Sequence, residues 1–270
     1  MAYANFKQTF WSKHYQRELE NKAILAEWCN REFEGEAKYG NLVKILGVGA
    51  VTIGNYVGTT IGSPETVADS SVMLAIDKAK YFNFGVDDVD KAQSKPGLME
   101  VLMAESAYAM AHQIDTDIAA AAVDAGNFSN SLQIATAANA KAAVDAGLVK
   151  LRENNVQITD EVVIELAPFV YQFLKEKYID LDTNNSELLK KGIVGYYDNA
   201  RVRVSNNLYN DTTDYYCMIR TKKAIAYVNQ IDKVEAYRPD NLFNDAIKGL
   251  NVYGIKVVRP KELYVIKAHK

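Results

Sequence analysis

The chain has 270 residues, 49% hydrophobic and 24% charged, with five prolines, which suits a globular protein whose core divides into two lobes and leaves little room for a long disordered tail. Thirty-one Lys and Arg against 34 Asp and Glu give a net charge of -3, which argues against sequence-specific nucleic-acid binding, since that needs an excess of phosphate-neutralising cations. Cys29 and Cys217 stand far apart, outside any CxxC or metal-ligand spacing, and the first ten residues lack an apolar core of export-signal length, so the sequence predicts buried thiols in a reducing cytoplasm.

Residues Phe6 to Arg31 read as an amphipathic arm, with Phe10, His14, Arg17, Asn21, Leu25 and Trp28 at helical intervals. Trp11 and Trp28 within it are candidate anchors on a neighbouring subunit, the alternative being a helix packed on its own core. Six of the 15 glycines then fall between Gly40 and Gly62, and no charged side chain occurs from Ile45 to Pro64. Leu42, Val43, Ile45 and Leu46, a turn Gly47-Val48-Gly49-Ala50, and Val51, Ile53, Tyr56 and Val57 spell two β-rich arms of a hairpin. An uncharged, β-branched edge of this kind pairs with other chains unless covered, which makes Leu42, Val43, Ile45, Val51, Ile53 and Tyr56 candidate inter-subunit contacts. An internal hairpin packed on its own domain is the alternative. The glycines, Asn55 and Pro64 speak against a membrane span, and no membrane partner is expected.

Val72 to Phe84 alternates as a strand, and Asp87-Asp88-Val89-Asp90 ends it ahead of Pro96 and Gly97. From Leu98 the apolar side chains Met99, Met103, Met110, Ile114, Ile118 and Ala121 share a helical face, and a helix running to Gly126 would be about 42 Å long. Ala121-Ala122-Val123-Asp124-Ala125-Gly126 recurs as Ala142-Ala143-Val144-Asp145-Ala146-Gly147, each glycine suiting a helix C-cap. Beyond Asn154-Asn155 the texture changes and a second lobe begins. Val162 to Leu166 is apolar apart from Glu165, Pro168 starts an amphipathic helix to Tyr178, Arg201 to Val204 alternates as a surface strand, Asn206 to Asp214 is a polar loop, and Ile225 to Lys267 is strand-like.

Chemistry leaves few marks. His112 and Asp115 form an HxxD pair with no third ligand at metal spacing, and Asp87, Asp88 and Asp90 could hold Mg²⁺ or Ca²⁺ in a metal-dependent enzyme, although a capping turn explains them more simply. No GxSxG, P-loop or GxGxxG signature precedes a helix, and neither a catalytic residue nor a cofactor is expected.

Three stretches carry a resemblance: Cys29-Asn30-Arg31-Glu32-Phe33-Glu34-Gly35-Glu36, then Tyr81 through Ala92, then Gly249-Leu250-Asn251-Val252-Tyr253-Gly254 with Lys256-Val257-Val258-Arg259-Pro260. In that order and spacing the chain resembles the major capsid proteins of tailed bacteriophages, of the Hong Kong ninety-seven type. The resemblance implies an α+β fold with an N-terminal arm over 1–31, an extended β-hairpin loop over 32–71, a peripheral domain over 72–153 and 231–270 with a spine helix at about 98–126, and an axial domain over 154–230. It implies a non-enzymatic structural protein of the virion that self-assembles in the host bacterial cytoplasm, as hexamers and pentamers, into an icosahedral head around double-stranded DNA. The chain lacks the long scaffolding extension of some relatives, so a separate scaffolding protein is expected beside a portal. The tip from Val48 to Gly58 holds no lysine, so no loop crosslink is expected. A nanocompartment shell of the same fold is the nearest alternative.

Overall fold

The computed structural model describes residues 24–35, 40–48, 69–87, 98–159, 161–178, 193–240 and 243–270, together with Ile53, Asn55 and Gly58. The elements in chain order are α1 (Ile24–Glu27), β1 (Leu42–Val48), β2 (Asp69–Ala75), β3 (Lys78–Asp87), α2 (Leu98–Ala120), β4 (Asn127–Phe128), β5 (Leu132–Gln133), α3 (Ala137–Glu153), β6 (Val162–Leu166), α4 (Pro168–Tyr178), β7 (Ile193–Tyr197), β8 (Ala200–Val204), β9 (Tyr215–Thr221), β10 (Ile225–Tyr237), β11 (Asn244–Val257) and β12 (Leu263–His269).

The hairpin exists, but its arms are not those the glycines suggest. β1 pairs antiparallel with β2, from Leu42 opposite Ala75 to Val48 opposite Asp69, and Gly47 lies in the ladder opposite Ser70 rather than in a turn. The return arm is therefore 69–75, and the single strand expected over 72–84 is two strands broken at Ile76-Asp77. β-propensity cannot see which segment supplies the cross-strand partner, and the expected second arm over 51–57 lies, apart from Ile53 and Asn55, outside the described residues.

β3, β11 and β10 form a three-stranded antiparallel sheet. Phe82 and Phe84 on β3 pack against the main core with Met103, Met110, Ile114 and Ile118 of α2, the face expected from their spacing. The helix ends sooner than expected: a 3-10 turn occupies Ala121–Asp124, and the α-helix covers 23 residues, about 35 Å.

The remaining strands make one seven-stranded sheet in the order β4-β12-β9-β6-β8-β7, with β5 also on β12. Every residue of β6 is buried, as expected of a continuous apolar strand with neighbours on both edges. α3 lies across this sheet, capped by the Thr136 side chain, which accepts the Asn139 N–H at 3.2 Å. Gly147 is not a C-cap but sits mid-helix, where a Cβ would come within 2.6 Å of Ile219 and 2.8 Å of Tyr264; the repeated hexapeptide has two different structural fates. β8, expected at the surface, is an inner strand between β6 and β7, with Arg203 fully buried. The 230/231 boundary expected between lobes falls inside β10, and β12 joins β9 rather than β10 and β11.

Candidate functional site

Two features stand out at the junction of these sheets: the root of the N-terminal arm and the β1–β2 ribbon. At the arm root a short stretch of backbone is held from both ends by buried charges. The Asp115 carboxylate, 1% exposed on α2, accepts the N–H groups of Ile24, Leu25 and Ala26 at 2.9, 3.0 and 3.2 Å, the free donors of a helix's first turn. Arg203 on β8 donates to the Ile24 carbonyl and, at 2.9 Å, to Glu27. Arg220 on β9 donates to the carbonyls of Trp28 and Leu25 and forms a forked pair with Glu165 on β6 at 3.0 and 2.7 Å. Arg220 and Glu165 are both fully buried. Burial pulls the Arg220 guanidinium down, but its partners, the Glu165 carboxylate foremost and Cys29 beside it, together hold it above its ordinary value.

Burial lifts the Asp115 carboxyl from 3.8 to about 6, against the lowering effect of its three backbone donors. Between those values the folded chain retains a proton that the unfolded chain has lost. This group's contribution to stability is thus full below pH 3.8 and is lost as pH rises through 6, a change of roughly 3 kcal/mol. Urea melts of wild type and Asp115→Asn should show the stability difference between them shrinking by that order from pH 4 to pH 7. A difference that stays flat or grows would refute the assignment.

Trp28 is occupied within its own chain. Its indole N–H donates to the Glu161 carbonyl at 3.1 Å, and the guanidinium of Arg201 and that of Arg203 lie 4.5 and 5.3 Å from its ring centroid. Arg203, Arg220, Glu165 and Asp115 were not expected as a cluster. The one sequence signal was charged residues interrupting apolar strands at Glu165 and at Arg201 and Arg203. His112 and Asp115 do not converge, since His112 is exposed while Asp115 points into the arm root.

The ribbon has two unlike faces. Val43 and Ile45 on β1 and Leu74 on β2 are buried, and with Ile76 they seat on Ala226 and Val228 of β10. Opposite-facing Leu42, Leu46 and Met73 are 57%, 68% and 61% exposed, and Ile53 is 94% exposed. Of the expected inter-subunit contacts, Val43 and Ile45 therefore face their own chain and Leu42 and Ile53 face outward, while Trp11, Val51 and Tyr56 lie outside the described residues, as do Asp88 and Asp90. Asp87 is exposed at the end of β3. Among the described residues no three metal-ligating side chains converge, and no helix is long and apolar enough to cross a membrane.

No curated protein matches the chain. Among solved structures it is similar to a chain of Mycobacterium phage Che8, at 33% identity over 90% of each chain with a TM-score of 0.74. A chain of the capsid structure of cyanophage P-SCSP1u shares its fold at 17% identity, over 86% of this chain and 85% of that one, with a TM-score of 0.70. So does the virus-like particle from Pyrococcus furiosus, at 11% identity over 98% of this chain and all of the other, with a TM-score of 0.60. The family model described as phage capsid protein matches residues 66–266, from the threshold of β2 to the middle of β12, so the chain belongs to the phage capsid protein family and is a major capsid protein of a phage head.

Proposed function

We propose that copies of this chain associate as hexamers and pentamers into an icosahedral shell around double-stranded DNA, with the outward face of the ribbon and the segment bearing Ile53 laid on a neighbouring copy. The observation that supports this reading is the division of the ribbon: one face is seated on the chain's own β10, and the other presents Leu42, Leu46 and Met73 to solvent. Fully covering one such side chain contributes about 1.5–3 kcal/mol before ordering costs, and the contact is repeated with every subunit. Trp11, Val51 and Tyr56 remain candidates for the same surface.

In this reading α2 with the three-stranded sheet is the peripheral domain, and the seven-stranded sheet with α3 and α4 is the axial domain, into which β12 is drawn. Assembly takes place in the host bacterial cytoplasm with a separate scaffolding protein, at a portal through which the DNA enters. The net charge of -3 suits a container that holds DNA without gripping it.

The test is the double substitution Leu42→Asp and Leu46→Asp. It leaves Val43 and Ile45 in place, so subunits should fold with unchanged circular dichroism yet sediment as small species and show no shells by electron microscopy. Closed particles from that variant would overturn the reading. Wild-type particles that hold a protein cargo and no DNA would point to a nanocompartment instead.

A further inference from the structure

The arm root and the ribbon base meet on one short piece of β10. Asn30 adds to that strand as a parallel bridge: its N–H donates to the Ile225 carbonyl at 2.8 Å and its carbonyl accepts the Tyr227 N–H at 3.0 Å, flanking Ala226. The Arg31 guanidinium lies 5.4 Å from the Tyr227 ring centroid, and Phe33 packs into the ribbon-base cluster beside Val43 and Ile45. The Ala226 side chain belongs to that same cluster and is fully buried. The arm root thus holds the backbone on either side of the residue whose side chain the ribbon covers. A second tie lies just beyond, where the Gln230 side chain donates to the Gly40 carbonyl at 2.9 Å, at the register shift between Asn229 and Ile231.

Among the described residues upstream of Asn30, the arm root is fixed to the body by groups remote from the ribbon: Asp115 on α2, Arg203 on β8 and Arg220 on β9, the Glu161 carbonyl that holds the Trp28 indole, and the main core around Leu25 and Cys29. None of α2, β8 and β9, which carry the three charged side chains, contributes a residue to the ribbon-base cluster. We propose that the arm root and the ribbon are one coupled device, in which undocking residues 24–33 from the body unseats the ribbon base from Ile225–Val228 and frees the ribbon to swing. The chemistry of the latch is a carboxylate that gathers three backbone donors at one end and two guanidinium groups that gather carbonyls at the other. The seat transmits the change because Asn30 extends β10 on one side of Ala226 and Phe33 leans on the ribbon from the other.

The proposal draws on the inter-subunit reading of the ribbon only for what a freed ribbon does in a shell. Its test needs no shell, so failure of coupling and failure of assembly are seen separately. Hydrogen exchange read by mass spectrometry on the full chain, as purified subunits, compares wild type with Asp115→Asn. Peptides covering 24–30 and those covering 42–46 and 72–75 should lose protection together, each by about tenfold, although Asp115 lies outside the ribbon cluster. Loosening of 24–30 with an unchanged ribbon overturns the coupling, and no loosening at either place overturns the latch. Should that variant fail to fold, the wild type decides: the two segments should open with the same denaturant dependence, and different dependences refute the proposal.

Discussion

Arg220→Ala should leave the subunit at the edge of folding, with a loss of about 3–5 kcal/mol. The reason is the environment of Glu165, whose carboxylate is fully buried and held by two bonds from Arg220 at 3.0 and 2.7 Å. Removing the cation strands that charge beneath the arm root, and it orphans the carbonyls of Trp28 and Leu25 as well. Arg220→Met combined with Glu165→Leu removes both charges and should recover most of the lost stability in a urea melt, because an apolar pair of similar volume replaces the ion pair at little cost. The arm root should stay loose in the double variant, since its carbonyls still lack their donor. A double variant no more stable than Arg220→Ala would show that the pair is not the source of the loss.

Gly254→Val should damage the ribbon while sparing the body. A Cβ at Gly254 would lie 2.5 Å from the Ala75 carbonyl oxygen and 2.8 Å from the Leu74 side chain. The first is backbone and cannot turn aside, so β2 must lift from β11. Overpacking of this kind costs about 1–3 kcal/mol, measurable by denaturant melts, and the displaced ribbon should cut the yield of closed particles seen by electron microscopy far more than it cuts the yield of soluble subunit. Gly35→Ala is the matched control, because no atom lies within 4 Å of its would-be Cβ. Normal shells from Gly254→Val would show that the seat of the ribbon on β11 is not needed for assembly.

Local periodicity revealed what depends on local periodicity. The α2 face of Met103, Met110, Ile114 and Ile118, the buried run at 162–166 and the helix begun by Pro168 were all readable, because each follows from the geometry of a single element. The existence of a ribbon was readable for the same reason, but not that Leu42 faces outward while Val43 and Ile45 face inward. Its true partner, 69–75, was not, since strand pairing is fixed by side chains that meet only after the chain has turned back. The arm-root cluster was least accessible of all. Arg203 and Arg220 resemble ordinary surface cations in an alternating strand, and only contacts made across 179 and 192 residues to Ile24 and Trp28 reveal why they are inside.

The place of β12 carries a consequence for how the molecule comes into being. It is synthesised after every strand it joins, yet it lies between β9 on one side and β4 and β5 on the other. Until Leu263 to His269 have left the ribosome, the strands on either side of that slot face an open gap, and the pairings that fill it span more than 130 residues on the β4 side. Such long-range closure is slow to form. A chain broken off before Leu263 leaves β4 and β5 without a partner and the β9 edge of its larger sheet bare, so an unfinished translation product should lack the surface that a subunit presents.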